Sequence, residues 1–380
     1  MFAKSPQSAP EGRTSPISPV AEVIDEIRLG RMIVLMDDED RENEGDIVVA
    51  AEKVTVEQVN FMIRHARGLI CMPITEERMH KLGLRMMVPE NTAPLGTGFT
   101  MSIDARTCTA GGVTAADRCR TIRLAADPTA DASDFVIPGH IFPLRAREGG
   151  VLVRTGQTEG SIDLCRLAGL HAAGVICEIL NEDGTMARLP DLVRFAETHG
   201  LKISTVADLI QYRLQNESLV RRVASARLPT KYGGEFTAHV YRSSVEDGEH
   251  IVLVKGSIDP DRPVLVRAHA EYLPGDVFAS AQRNTGEVLH RAMARIASEG
   301  EGVLLYVRRH RRGAEMLAEG GGGPATTNPV ARLASFKDYG IGAQILRDLG
   351  VRRIRLLTNS PFRLPNLAGY GLEVVEVVSV

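Results

Sequence analysis

The sequence predicts a mixed α/β protein of the α+β class that is built from two domains. The chain has 380 residues, more than one typical hydrophobic core contains. Short apolar runs typical of strands are mixed with stretches in which apolar residues recur at helical spacing. After Gln215 a polar and basic stretch without clear periodicity begins. We therefore expect a disordered, Ser/Pro-rich segment over residues 1–19, a first domain over 20–215 and a second over 222–380.

Each expected element depends on a local pattern. Short apolar runs bounded by polar residues or glycine predict strands at 32–35, 47–51, 69–74, 151–154 and 175–180. Apolar residues at helical spacing, with the stop at Gly30 and a Thr55–Gln58 capping box, predict helices at 20–27, 55–66, 114–124, 158–168, 190–199 and 205–214. In the second half we expect helices at 286–298 and 338–349, strands at 303–307 and 354–357, and a flexible glycine-rich loop at 319–324.

Bulk composition limits the classes of partner. Hydrophobic residues make up 44% of the chain and the net charge is -3, which gives no electrostatic reason to expect nucleic acid or a membrane surface. No apolar run is long enough to span a membrane, and the N-terminus lacks a signal-peptide pattern. We therefore expect a cytoplasmic protein. An odd number of cysteines in such a chain indicates free thiols, at Cys71, Cys108, Cys119, Cys165 and Cys177.

An unusually acidic stretch lies between the first two predicted strands. In order, it contains Asp37, Asp38, Glu39, Asp40, Arg41, Glu42, Asn43, Glu44, Gly45 and Asp46. Carboxylates this close together repel one another, and the loop is clamped between two strands. The pattern therefore indicates a site where carboxylates hold a cation or transfer protons. A charged surface loop is the alternative interpretation.

The run DDEDRENEGD closely resembles the signature of 3,4-dihydroxy-2-butanone 4-phosphate synthase, a lyase of riboflavin biosynthesis. The similarity extends from about Val20 to Tyr212. It implies conversion of D-ribulose 5-phosphate to L-3,4-dihydroxy-2-butanone 4-phosphate and formate, with Mg²⁺ or Mn²⁺ as cofactor and a homodimer as the assembly. The alternative is a non-catalytic regulatory paralogue that binds a sugar phosphate, a flavin or a pathway enzyme.

The resemblance also implies roles for residues of the acidic stretch and of two later segments. Glu42 matches the metal-ligand carboxylate, and Arg41, Glu44 and Asp46 match residues for substrate binding and proton transfer. Cys71, in GLICMP, resembles the family's active-site cysteine, although a lone cysteine in an apolar strand is otherwise a small buried hydrophobe. His140, in IPGHIFPL, resembles an essential acid–base residue, whereas an anonymous loop histidine is usually idle.

Two further segments complete the expected site. Glu178 lies in an apolar strand, where burial would raise its pKa as a base for carbon acids requires. A cation and free backbone N–H groups at a helix start form a phosphate site, and this pattern covers Arg154, Thr155, Gly156, Gln157 and Thr158. Glu178 and these five residues are therefore expected to bind substrate.

Gln157 departs from the family pattern, which reads Arg-x-Gly-His-Thr-Glu and uses its histidine as the second metal ligand. An amide oxygen can ligate Mg²⁺ but cannot accept a proton as imidazole does. Three outcomes are open: Gln157 ligates through oxygen, water fills the position, or the metal binds too weakly for turnover. A second departure is the run from Cys108 to Gly112, where the family has Thr-Thr-Gly before an AADR helix that this chain retains.

The second half resembles a GTP cyclohydrolase II domain, most clearly from Val264 to Gly286. The family's three zinc-binding cysteines correspond here to Tyr272, Arg283 and Thr285, and no cysteine follows Cys177. Zinc-bound water is the nucleophile of that reaction. We therefore expect no zinc, no GTP hydrolysis and a structural or regulatory role, whereas a bifunctional enzyme would bind zinc. The basic run 308–312 suits either an anion site or a solvated turn.

Overall fold

Each half of the chain contains a seven-stranded mixed sheet within the residues that the structure describes. This structure is a computed structural model, and it describes residues 16–38, 41–245, 248–308, 340–359 and 367–380. The chain divides into two units, residues 1–210 and 211–380. Strands and helices mixed in both units confirm the predicted fold class. Of the segment predicted to be disordered, residues 1–15 lie outside the described residues.

The first unit contains seven strands and most of the helices described. The strands are β1 (Ile33–Met36), β2 (Gly45–Ala50), β3 (Cys71–Ile74), β4 (Ile103–Ala105), β5 (Phe135–Arg145), β6 (Gly174–Glu178) and β7 (Lys202–Thr205). The helices are α1 (Val20–Arg28), α2 (Val56–Phe61), α3 (Glu76–Lys81), α4 (Ala115–Ala126), α5 (Gln157–Leu167), α6 (Leu189–His199) and α7 (Val206–Asn216), the last of which crosses the unit boundary. The predicted capping box at Thr55 begins α2, which continues as a π-helix over Met62–Ala66.

The sheet of the first unit has the order β4-β5-β3-β6-β2-β1-β7. β2 is antiparallel to both β1 and β6, while β1 is parallel to β7. All residues of β1, β2 and β3 are buried. Alternate residues of these strands, among them Val34, Ile47 and Met72, belong to one hydrophobic core. This arrangement fixes the two strands on either side of the acidic loop.

The predicted strand at 151–154 is wrong. Gly149 and Gly150 both have positive φ, and Gly150–Leu152 form a 3-10 turn. The backbone N–H of Val151 donates to Oδ2 of Asp163, a residue of α5, at 2.8 Å. This N–H group is therefore not available to pair with a neighbouring strand. Strands β4, β5 and β7 and helix α3 were not predicted; β5 contains Pro138, Gly139 and Pro143, which interrupt its apolar pattern.

The second unit has the sheet order β14-β13-β11-β12-β10-β9-β8. Its strands are β8 (Val220–Thr230), β9 (Gly234–Ser243), β10 (Glu249–Lys255), β11 (Pro263–Ala270), β12 (Gly302–Val307), β13 (Arg353–Leu357) and β14 (Glu373–Val378), and its helices are α8 (Leu273–Asp276), α9 (Thr285–Glu299) and α10 (residues 340–348). α9, β12 and β13 confirm the predicted helix at 286–298 and the predicted strands at 303–307 and 354–357. α10 confirms the predicted helix at 338–349 from residue 340 onward, where the described residues begin. The predicted glycine-rich loop lies outside the described residues. In the described ranges no helix is both long and apolar enough to cross a bilayer.

Candidate active site

An acidic loop connects β1 to β2, and one buried aspartate holds its backbone. Oδ1 of Asp37 accepts a hydrogen bond of 2.9 Å from the backbone N–H of Glu44. Oδ2 accepts a longer bond of 3.4 Å from the backbone N–H of Glu42. The Asp37 side chain is fully buried, so these donors compensate the cost of placing a charge there. Residues 39 and 40 of the predicted acidic cluster lie outside the described residues.

The guanidinium of Arg41 joins this loop to the start of α5. Its Nη1 lies 2.5 Å from Asp37 Oδ2, 2.5 Å from Glu42 Oε2 and 3.2 Å from Gln157 Oε1. The amide nitrogen of Gln157 donates in turn to the backbone carbonyl of Glu44 at 3.3 Å. The structure therefore brings together Glu42 and Gln157, the two expected metal ligands, with one cationic nitrogen between their oxygens.

Arg188 supports the same loop, and the sequence did not indicate it. Its Nη1 donates to the backbone carbonyls of Glu42 and Asn43, both at 2.5 Å. Asn43 has a φ of 55°, a left-handed conformation that asparagine tolerates better than most residues. Arg188 lies immediately before α6, 145 residues away from Asn43 along the chain. No local spacing could have linked it to the acidic loop.

Asp46 and Glu178 lie opposite each other in the antiparallel ladder between β2 and β6. Burial raises the pKa of Asp46 well above its usual range, and the Glu178 and Glu44 carboxylates raise it further. Burial also raises the pKa of Glu178, although the backbone N–H of Leu69, which donates to Glu178 Oε2 at 2.8 Å, acts in the opposite direction. A raised pKa makes each carboxylate a stronger base, as the removal of a proton from carbon requires.

Glu44 and Cys71 lie in the same electrostatic environment. Burial raises the pKa of the Glu44 carboxyl, and the Glu42 carboxylate adds to this effect. Burial also raises the pKa of the Cys71 thiol, and the charges of Glu178 and Asp46 raise it further. The thiol therefore stays protonated at neutral pH and is a weak nucleophile. Cys71 and the other four cysteines are free thiols, as predicted.

Two arginines flank the first turn of α5. Nη1 of Arg154 donates to Glu159 Oε2 at 2.7 Å, and its Nη2 donates to Thr97 Oγ1 at 3.0 Å. A Cβ on Gly156 would lie 2.8 Å from Arg154 Nη1 and 3.1 Å from Arg41 Nη2, so both guanidinium groups lie against this glycine. Gly156 is the N-cap of α5 and has no side chain to bond the first N–H groups of the helix. Cations and free N–H groups together favour an anion at this end.

His140 lies in β5, and its imidazole is paired with a buried aspartate. Nδ1 of His140 lies 2.7 Å from Oδ2 of Asp104, and the backbone N–H of His140 donates to Oδ1 at 2.9 Å. The imidazole is 43% exposed, whereas Asp104 in β4 is buried. In the part of the chain that the structure describes, no hydrogen bond or ion pair joins His140 to the acidic loop. Sequence reasoning missed Asp104, because the three-residue strand β4 has no distinctive pattern.

Comparison with known proteins assigns both halves of the chain. Residues 21–212 match the family described as 3,4-dihydroxy-2-butanone 4-phosphate synthase, and residues 221–379 match the family described as GTP cyclohydrolase II. The chain belongs to the 3,4-dihydroxy-2-butanone 4-phosphate synthase family. It is an enzyme of riboflavin biosynthesis with this synthase activity, and a GTP cyclohydrolase II domain follows the synthase domain.

Similar proteins share this two-domain arrangement. Riboflavin biosynthesis protein RibBA of Aquifex aeolicus (strain VF5) is 51% identical over 95% of this chain and 92% of that protein. RibBX from A. baumannii, described as a two domain 3,4-dihydroxy-2-butanone 4-phosphate synthase, has a TM-score of 0.77 and 42% identity over 95% of this chain and 99% of its own. A 3,4-dihydroxy-2-butanone 4-phosphate synthase in complex with two magnesium ions has a TM-score of 0.51 and 42% identity over 53% of this chain and 98% of its own.

In the GTP cyclohydrolase II domain, one carboxylate accepts hydrogen bonds from several sides. Oδ1 of Asp276 lies 2.9 Å from His269 Nε2 and accepts a bond of 2.5 Å from the hydroxyl of Thr285. Oδ2 accepts bonds from the Tyr306 hydroxyl at 2.8 Å and the Tyr272 backbone N–H at 2.9 Å. Burial alone would raise the pKa of Asp276, but these four contacts together lower it to about 2. The carboxylate is therefore held in its ionised form.

Tyr272, Arg283 and Thr285, which we expected from the sequence at the positions of the family's zinc-binding cysteines, contact this network or each other. The guanidinium of Arg283 lies 4.9 Å from the centre of the Tyr272 ring, and Thr285 is bonded to Asp276. In the described residues no group of three or more His, Cys, Asp and Glu is arranged to hold a metal ion. Of the predicted basic run, Arg308 lies 3.6 Å from Glu271, and residues 309–312 lie outside the described residues.

Proposed function

We propose that the conversion of D-ribulose 5-phosphate to L-3,4-dihydroxy-2-butanone 4-phosphate and formate takes place where the acidic loop meets the start of α5. The observation that carries this proposal is the set of contacts of Arg41, which connects Glu42, Asp37 and Gln157 and also lies against Gly156. Carboxylates and a helix N-terminus flanked by arginines are thereby adjacent. A sugar phosphate suits both parts of the site: its hydroxyl and carbonyl groups suit the carboxylates, and its phosphate suits the helix N-terminus.

The chemistry of the donor set fits Mg²⁺ or Mn²⁺. Glu42 Oε2 and Gln157 Oε1 both approach Arg41 Nη1, so two hard oxygen atoms already face one cationic position. In our proposal Glu42 and Gln157 hold the ion, with Gln157 ligating through its amide oxygen. When bound, the ion supplies Lewis acidity that stabilises negative charge on the substrate oxygens.

The substrate is held mainly by cations and backbone N–H groups. Arg41 and Arg154 contribute positive charge on either side of Gly156, and the first turn of α5 directs its N–H groups at the phosphate. Asp46 accepts hydrogen bonds from the sugar hydroxyls near Glu178. The proposed substrate-binding residues are Arg41, Asp46, Arg154, Thr155, Gly156, Gln157, Thr158 and Glu178.

Proton transfer is assigned to four side chains: His140, Glu178, Glu44 and Cys71. Glu178 and Glu44 have raised pKa values, so they bind a proton taken from carbon more tightly than exposed carboxylates do. Cys71 keeps its proton at neutral pH and transfers it only to a strong base, such as an alkoxide or enolate oxygen that forms on the substrate. His140 exchanges protons with substrate oxygens through the ring nitrogen that is not bonded to Asp104.

The GTP cyclohydrolase II domain is proposed to be inactive in GTP hydrolysis. Its residues do not fit zinc, because Tyr272, Arg283 and Thr285 offer no thiolate. Two of these side chains, Arg283 and Tyr272, instead contact each other, and we assign this domain a structural or regulatory role. Stoichiometric zinc in purified protein, together with GTP turnover, would contradict the proposal.

Formate release from ribulose 5-phosphate, measured with added Mg²⁺ and separately with Mn²⁺, tests the synthase proposal. We expect turnover with at least one of the metals and none after chelation. Absence of turnover with both metals, combined with a higher melting temperature in the presence of ribulose 5-phosphate, would indicate a regulatory paralogue instead. Sedimentation of the same preparation tests the expected homodimer, and limited proteolysis tests the expected boundary between 215 and 222.

A further inference from the structure

The carboxylate of Asp104 is placed so that it contacts His140 twice. One oxygen lies 2.7 Å from the imidazole Nδ1, and the other accepts the backbone N–H of the same residue at 2.9 Å. Two contacts to one carboxylate fix both the backbone and the ring of His140 relative to β4. The imidazole cannot rotate about its side-chain bonds without losing the shorter contact.

Backbone of two other segments packs closely against Asp104. A Cβ on Gly112 would lie 2.0 Å from Asp104 Oδ2, so the backbone of the loop before α4 lies directly on the carboxylate. Gly112 has a φ of +84°, a conformation that favours glycine. On the other side, a Cβ on Gly139 would lie 2.2 Å from the backbone nitrogen of Asp104. Gly112 therefore allows backbone to pack on the carboxylate, and Gly139 allows β5 to pack against the backbone of Asp104.

The loop that covers Asp104 is itself held from α4. Asp117, near the start of α4, accepts hydrogen bonds from the backbone N–H groups of Thr109, Ala110 and Gly112 at 3.2, 2.9 and 3.2 Å. The run of residues 108–112, where this chain departs from the family, therefore has a defined shape that ends on Asp104. A carboxylate that is buried in this way needs hydrogen-bond donors, and within the described residues the imidazole of His140 is the side chain that lies at hydrogen-bond distance from it.

We propose that Asp104 is a positioning residue for the reaction. It holds the proton of neutral His140 on Nδ1, so that Nε2 carries the lone pair that exchanges protons with the substrate. This inference rests on the proposed function through the acid–base role of His140. The carboxylate also stabilises the imidazolium that forms when Nε2 accepts a proton. Asp104 acts through His140 and does not touch the substrate.

The test combines kinetics with ¹⁵N NMR of the histidine ring nitrogens in the full chain. The chain has 10 histidines, so the His140 signals are assigned by their loss in His140→Gln. We expect wild type to show the Nδ1–H form of neutral His140. In Asp104→Asn the new amide group donates to Nδ1, the proton moves to Nε2, and kcat falls by about 10²–10⁴-fold with little change in KM.

Ser102→Ala is the matched control. Ser102 is also buried beside β5, and its Oγ accepts the backbone N–H of Gly139 at 3.1 Å, but among the described residues no hydrogen bond joins it to the imidazole. We expect this variant to keep the Nδ1–H form and a kcat close to wild type. Gly112→Ala offers a second perturbation, because its Cβ displaces the Asp104 carboxylate without changing its chemistry; the same shift of the proton to Nε2 is expected.

Wild-type protein alone can overturn the inference, since an Nε2–H form of His140 would contradict it even if no variant folds. Loss of activity in Asp104→Asn with the Nδ1–H form retained would show a purely structural effect and refute the positioning role. Full turnover by His140→Gln would instead refute the proposed role of His140, whatever the NMR result for Asp104.

Discussion

A histidine in place of Gln157 is expected to tighten the binding of Mn²⁺ while the synthase domain stays folded. Gln157 is buried and makes two long hydrogen bonds, 3.2 Å from Arg41 and 3.3 Å to the Glu44 carbonyl. Bonds of this kind contribute about 0.5–1.5 kcal/mol each, so losing both lowers the free energy of unfolding by about 1–3 kcal/mol. An imidazole nitrogen that ligates the ion should tighten Mn²⁺ binding about tenfold, or ~1.4 kcal/mol.

The assay is the dissociation constant of Mn²⁺, measured by calorimetry or by the EPR signal of the free ion, for wild type and Gln157→His. Gln157→Leu is the matched control, because it removes the same two hydrogen bonds and offers no ligand atom. We expect Leu to bind Mn²⁺ no more tightly than wild type. Equal dissociation constants for the His and Leu variants, with both proteins folded, would refute the idea that position 157 contacts the ion.

Three further predictions test other parts of the molecule. Glu42→Ala should abolish formate release. The variant should keep the far-UV circular dichroism of wild type, because Arg188 holds the backbone of the acidic loop. Formate release by Glu42→Ala at the wild-type rate would show that Glu42 takes no part in the mechanism. The pKa of Asp46 is higher in the folded protein than in the unfolded chain, so ionisation of Asp46 destabilises the fold. This destabilisation is absent at pH values below the pKa of the unfolded chain and present at neutral pH. Asp46→Asn should therefore raise the free energy of unfolding at pH 7 but not near pH 3.5, and exposed Glu90→Gln should change neither; an equal gain at both pH values would contradict this reasoning. Asp276→Ala leaves donors on His269, Thr285 and Tyr306 without their acceptor and should cost about 3–5 kcal/mol in urea unfolding, whereas a loss under 1 kcal/mol would show that the network contributes little.

Elements with a regular pattern were predictable from the sequence. Helix α9 and strands β12 and β13 have apolar residues at the spacing that their buried faces require, and the structure places them where the sequence predicted. The strand expected at 151–154 was wrong because an apolar run does not reveal that the glycines before it turn the chain. Strand β8 was not predicted, since almost all its residues are exposed and no apolar alternation marks it.

The same limit applies to the active site. The residues of the acidic loop were recognisable because charge is concentrated within a few positions. Asp104 and Arg188 were not, because each acts on a residue far away in the chain through contacts that only the sheet and the start of α6 create. A single acid or arginine has no local signal that separates it from the many on the surface. Positioning residues of this kind are visible only after the fold is known.

Arg188 binds main-chain oxygens of the acidic loop, and this has a consequence for engineering. Neither bond involves the side chain of residue 42, so Arg188 holds this turn whatever group residue 42 presents. Libraries randomised at position 42 should therefore yield a high proportion of folded clones, whereas position 43 needs a residue that tolerates its left-handed φ. A designer seeking a different ion or a different sugar could vary the chemistry there while keeping the scaffold.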